Sequence, residues 1–131
     1  WRSCATASTR NRAAARQRLQ RLRLAGGGSA RSQRRTGSVF GAQARFARQD
    51  VEIIGTGTDY VRVGDEGGRC TFTFCASCGA TVYYLMDGRP DSIAIPVGAF
   101  AEPGFPAPSV SVYEERMHSW VVPPSHAEHL P

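Results

Sequence analysis

The stretch TFTFCASCGATVYY, residues 71–84, decides the fold. In its first half two Phe alternate with two Thr, which is the period of a strand with one buried face. Its second half, TVYY, is again rich in β-branched and aromatic residues, which favour strands. Between the halves, Cys75 and Cys78 lie three positions apart and Gly79 follows them. Because Gly accepts a left-handed backbone, the stretch predicts a hairpin with both cysteines in its turn.

The cysteine pair predicts half of a zinc site. Two thiols at this spacing in a tight turn can direct both sulfur atoms at one metal ion, and the turn frees backbone N–H groups to bond to sulfur. The zinc interpretation of Cys75 and Cys78 is favoured over two others, which stay open: reduced thiols without a metal, or a strained local disulfide. A thioredoxin-like redox pair would open a helix, and no helix is predicted here.

Tetrahedral zinc needs four ligands, so two remain to be found. Cys4 is the third candidate ligand, although it is far away in the sequence. Cys70 is a poor candidate, because an odd offset of five from Cys75 along one strand places the two side chains on opposite faces. The remaining candidates are the three histidines of the chain, each of which is more often a surface residue: His118, His126 and His129.

Outward from the hairpin, short β-branched and aromatic segments alternate with turns rich in Gly and Pro. This alternation of short segments and turns predicts a small all-β domain, a sheet or sandwich carrying the zinc knuckle. Six strands are predicted, at residues 51–54, 59–63, 71–75, 81–85, 92–97 and 109–113.

The N-terminal part has a different character. All sixteen basic residues of the 131-residue chain are Arg; twelve of them lie in residues 1–49, which contain no acid, and all eleven acids follow. Residues 9–24 are mostly good helix formers with a thin apolar face, and a Gly run follows them. We therefore predict two parts: an irregular or helical Arg-rich segment, 1–35, and a β domain, 36–131.

The bulk composition restricts the location and the partners. No stretch has the roughly 18–20 apolar residues that span a bilayer. Four cysteines are too few for a secreted disulfide scaffold, so a soluble cytoplasmic protein with reduced thiols is predicted. The basic arm would attract phosphate, but no motif that reads nucleic acid and no interleaved aromatic accompanies it. Nucleic acid is therefore not predicted as a partner.

From residue 34 onward the chain resembles the glutathione-dependent formaldehyde-activating (GFA, CENP-V-like) family. Three pieces carry the resemblance, in order: RRTGSVFGAQARF at 34–46, FCASCGATVYY at 74–84 and IPVGAFAEPGFPAPSVSVYEERMHSW at 95–120. The resemblance implies a zinc-bearing β-tent fold and a carbon–sulfur lyase. Its reaction is illustrated by joining formaldehyde to glutathione as S-(hydroxymethyl)glutathione, so a small thiol such as glutathione is the expected partner.

The chain departs from the family pattern in its first third. The family carries a Cys-x-Cys-x-x-Cys cluster for a catalytic zinc just before the R-x-G-S segment, and here those positions hold Gly27, Ser29 and Ser32. An early Cys-x-Cys pair completes the structural zinc in the family, and only Cys4 represents it here. A Ser hydroxyl is a far weaker zinc ligand than a thiolate. Two functions therefore stay open: a GFA-like lyase, or a non-catalytic domain that keeps one structural zinc.

Overall fold

The computed structural model describes residues 6–9, 21–26, 30–64 and 67–130, with side chains from residue 33 onward in the last two ranges. One α-helix, α1, spans Ala30–Thr36, and short 3-10 helices span Arg48–Asp50, Val97–Phe100 and Glu114–Arg116. The strands of the described residues are β1 Thr6–Thr9, β2 Arg21–Gly26, β3 Phe40–Ala47, β4 Val51–Ile54, β5 Thr58–Val63, β6 Arg69–Phe74, β7 Thr81–Met86, β8 Ser92–Pro96, β9 Val110–Val112 and β10 Glu128–Leu130.

Eight of these strands form one sheet, in the order β10-β9-β2-β3-β8-β7-β6-β5. Six strands, from β2 through β5 in that order, pair antiparallel. Strand β9 pairs parallel with both β2 and β10. The other two strands, β1 and β4, form a separate antiparallel pair.

The prediction of an all-β domain is confirmed. The six strands predicted from the sequence correspond to β4 through β9, with ends that differ by at most two residues. Their turns contain the Gly and Pro residues that marked them, which explains why local sequence was sufficient. No helix in the described part of the chain combines the length and the apolar character needed to cross a membrane.

The N-terminal part differs from the helix that its composition favoured. Residues 21–24 end the helical run predicted at 9–24, yet they belong to β2, which pairs with β3 on one side and β9 on the other. Residues 10–20 of that run lie outside the described residues. These ladders satisfy the strand's backbone groups on both sides, and such tertiary pairing overrides helix propensity. Helix is found later, at Ala30–Thr36. The division into residues 1–35 and 36–131 stays a prediction.

The hydrophobic core lies on one face of the large sheet. Alternate residues of β3 and β8 point to this face, and Val51 of β4 packs against them. The buried cluster comprises Ala44, Phe46, Val51, Ile93 and Ile95. Phe100 and Phe105 stack on each other, with ring centroids 4.7 Å apart, and pack against this cluster. The loop containing these two Phe therefore forms part of the core layer.

Candidate functional site

The hairpin predicted around the cysteine pair is present. Strands β6 and β7 pair antiparallel, and loop 75–80 joins them. The backbone N–H of Cys75 donates to the Ala80 carbonyl at 2.9 Å, and the N–H of Gly79 donates to the Cys75 carbonyl at 2.8 Å. Gly79 has a φ of +72°, the left-handed conformation that the sequence required there. The loop is therefore a closed turn with a cysteine at its first and fourth positions.

The two cysteines of this turn differ in exposure. Cys75 is 2% exposed at the end of β6, whereas Cys78 is exposed at the tip. Both are reduced thiols outside any disulfide, and the same is true of Cys70. Cys70 lies at the other end of β6, opposite Met86 and Arg62. Four strand residues separate it from the turn, so it is not positioned to join the pair.

Further ligands are not assembled around the turn by the described residues. Among them, no three His, Cys, Asp or Glu side chains are close enough to hold one metal ion. The His129 ring is engaged with the Glu114 carboxylate at 2.6 Å, and the His118 ring lies 5.8 Å from that of Trp120. Cys4, the predicted third ligand, lies outside the described residues. The described residues thus show no complete metal site, and zinc binding by Cys75, Cys78 and Cys4 stays a prediction.

We expect Gly79→Ala to lower the free energy of unfolding by about 1–2 kcal/mol, because a side chain with Cβ is strained at positive φ. No atom lies within 4 Å of the added Cβ, so a steric clash does not contribute. Gly88→Ala is the matched control: its site is equally open but has no positive φ, and a gain of about 0.4–1 kcal/mol is expected. Urea unfolding of both variants measures the difference. Equal effects at both glycines would contradict the assignment of strain to the cysteine turn.

Helix α1 is attached to the sheet beside the cysteine turn. Arg35, near its C-terminal end, donates from Nη1 to the Thr81 hydroxyl at 3.2 Å, and Thr81 begins β7 directly after the turn. The Arg35 guanidinium lies over the Phe72 ring, 4.0 Å from its centroid. Phe72 in turn packs against Tyr84 of β7, with ring centroids 4.9 Å apart. These contacts hold the helix against the hairpin, close to the cysteine turn.

A second arginine lies on the same face of the sheet. Arg45 of β3 reaches across β8 to Tyr84, where its Nη2 donates to the phenolic oxygen at 3.4 Å. Ala94 lies between them in the register of the strands, and its small side chain leaves room for Arg45 to cross. Sequence reasoning missed Arg45 as a site residue. The alternation of Gln43 and Arg45 with Ala44 and Phe46 is the signal that places Arg45 opposite the core.

Burial sets the protonation of this face. It lowers the pKa of Arg35, and the neighbouring Arg62 guanidinium lowers it further. Burial also raises the pKa of the Cys70 thiol, although Arg62 and Arg45 oppose the change. The Cys70 thiol therefore keeps its proton near neutral pH, which makes it a weak nucleophile.

Fold and site together define a small all-β domain in which a Cys-x-x-Cys hairpin is covered at its base by an arginine-bearing helix. The model of one family, described as glutathione-dependent formaldehyde-activating enzyme, matches residues 30–116. This match covers α1, the cysteine hairpin and strands β3 through β9, and the chain belongs to that family. A comparison with curated proteins gave no match.

Proposed function

We propose that this chain acts on thiol–aldehyde adducts such as S-(hydroxymethyl)glutathione, as a carbon–sulfur lyase of the family. The family match over residues 30–116 is the observation that carries the proposal. In the synthetic direction, a bond forms between the thiol sulfur and the aldehyde carbon. The carbonyl π bond breaks, and the thiol proton ends on the oxygen, which becomes a hydroxyl. The small-molecule partner is a thiol such as glutathione, and the proposed location is the cytoplasm, where thiols stay reduced.

Zinc would supply thiolate stabilisation and carbonyl polarisation to this reaction when bound. The described residues do not complete a site for it, because no three His, Cys, Asp or Glu side chains among them lie close enough to hold one metal ion. In the sequence, the positions expected to hold the catalytic cluster are Gly27, Ser29 and Ser32. Neither Gly nor a neutral Ser hydroxyl replaces a thiolate ligand.

That mismatch favours a second candidate function, a non-catalytic domain with one structural zinc. Its proposed ligands are Cys75 and Cys78 of the hairpin together with Cys4. The buried Cys75 would anchor the metal at the end of β6, and the closed turn would hold Cys78 beside it. Such a domain would keep the family fold without its turnover.

Zinc content and adduct formation, measured on the same purified chain, separate the two functions. The lyase is supported if the chain accelerates adduct formation from formaldehyde and glutathione above the uncatalysed rate. The structural domain is supported by about one zinc per chain and no acceleration. For either zinc assignment we expect Cys75→Ser and Cys78→Ser to lose zinc, and Cys70→Ser, the matched control, to retain it. Full zinc retention in all three variants would overturn the hairpin as a metal site.

A further inference from the structure

The face of the large sheet opposite the core carries an aromatic row. The strand register places one residue from each of five neighbouring strands side by side on this face: Arg45, Ala94, Tyr84, Phe72 and Tyr60. Arg45 covers the inner end of the row, and Arg35 from α1 lies over Phe72. Tyr60, at the outer end, is 54% exposed on β5. The row therefore runs from a half-buried arginine to an accessible aromatic ring.

Among the described residues, the two arginines over the row contact neutral groups. Arg35 bonds to a threonine hydroxyl and lies on a ring, while Arg45 bonds to a phenolic oxygen and approaches the Met86 sulfur at 3.8 Å. The Nε atom of each is buried and has no hydrogen-bond partner among the described residues. Both side chains are half-buried, and a half-buried guanidinium gains from a charge-assisted hydrogen bond to an anion.

The chain has few acids that can neutralise this face. Residues 1–49 contain none, so the N-terminal segments outside the described residues cannot supply one. Asp59 lies on the opposite face of β5, where its carboxylate accepts from the Thr73 hydroxyl at 2.6 Å. Asp87 pairs with Arg69 at 3.6 Å. Outside the described ranges the only acids are Asp65 and Glu66.

A groove opens beside Arg35, between α1 and β5. Its volume is about 620 Å³, which lies within the range of small-molecule sites. Arg34 and Arg35 line one wall, and residues 60–63 of β5 line the other, including Tyr60 and Arg62. The groove thus combines several guanidinium groups with an aromatic ring and two valines.

We propose that this groove binds a small molecule through an oxyanion group, a carboxylate or a phosphate, with Arg35 as the central donor. Guanidinium groups present paired N–H donors that match the oxygens of either anion. Arg34 and Arg62 flank the oxyanion, and Tyr60 contacts the rest of the ligand. The site is independent of the proposed lyase activity, because oxyanion binding requires neither a thiol nor an aldehyde.

Calorimetric titration of the full chain with inorganic phosphate tests this proposal, at constant ionic strength maintained with chloride. We expect saturable binding that weakens about tenfold or more in Arg35→Met, which keeps a long unbranched side chain but removes the donors. Arg34→Gln, at an exposed position of the groove, provides a second variant if Arg35→Met does not fold, and should weaken binding several-fold. Arg89→Gln, at an exposed turn outside the groove, is the matched control and should bind as the parent does.

A parallel titration with S-methylglutathione, which has carboxylates but no thiol, identifies the source of the oxyanion. Tighter binding of phosphate assigns the site to phosphate esters, and tighter binding of S-methylglutathione assigns it to carboxylates. Three outcomes would overturn the proposal: no saturable binding of either probe, equal binding by the parent and both groove variants, or phosphate binding that appears only in Asp65→Asn/Glu66→Gln. The last result would show that the chain's own acids occupy the site.

Discussion

Phe46→Ala is expected to lower the free energy of unfolding by about 3–5 kcal/mol, a large part of the stability of a domain this size. Phe46 is 0% exposed, and it is among the largest fully buried side chains of the described residues. It belongs to β3 and lies beside Ile93 of β8 in the register. Its ring centroid lies 6.0 Å from that of Phe100, in the loop that packs against the sheet. Truncation therefore leaves a cavity bordered by both layers of the core.

Denaturant unfolding followed by fluorescence measures this loss, with Phe40→Ala as its matched control. Phe40 belongs to the same strand but is 42% exposed, so its truncation should cost less than about 1 kcal/mol. Similar losses at the two positions would contradict the placement of the core on one face of the sheet. A change in the slope of the unfolding free energy against denaturant concentration would instead indicate an altered unfolded or native state.

The triple replacement Gly27→Cys/Ser29→Cys/Ser32→Cys is expected to raise the zinc content by about one ion per chain. Three thiolates at the family's spacing would leave the fourth position of the metal open, as catalytic zinc requires. A zinc ion there stabilises a thiolate and polarises the aldehyde, which together are worth several kcal/mol of the barrier. Adduct formation from formaldehyde and glutathione should then accelerate by about a hundredfold or more over the parent chain.

The control for this gain keeps the number of thiols and changes their spacing. Gly27→Cys/Gly28→Cys/Ser32→Cys moves one sulfur by a single position and should bind zinc more weakly, without the increase in rate. Equal zinc uptake and equal rates in the two triple variants would show that spacing does not matter. Failure of the first triple variant to gain either property would leave the non-catalytic domain as the better account of this family member.

Local sequence was sufficient wherever a strand ended at a turn with its own chemistry. Residues 51–54 are an example, because Gly55 adopts a φ of +88° directly after them and ends β4 where predicted. The cysteine hairpin was predictable for the same reason, since Gly79 and the flanking Thr and aromatic residues specify both the turn and its strands. These features depend on neighbours within a few positions.

The rest depends on residues that are distant in the sequence. Strand β2 has the composition of a helix, and only its pairing with β3 and β9 makes it extended. The contact of Arg45 with Tyr84 could not be predicted either, because it depends on the register of three strands and on the small Ala94 between them. The count of charges identified an Arg-rich N-terminal part, but it did not show which arginine side chains would pack on the sheet.

The position of β2 has a consequence for biosynthesis. This strand is made well before one of its two neighbours, β9, because several other strands lie between them in the sequence. Until then β2 can pair with β3 alone, and the nascent sheet exposes an open edge that invites association with other chains. Completion of the sheet therefore has to wait until β9 has been made, and pairing between strands so distant in the sequence is expected to form slowly.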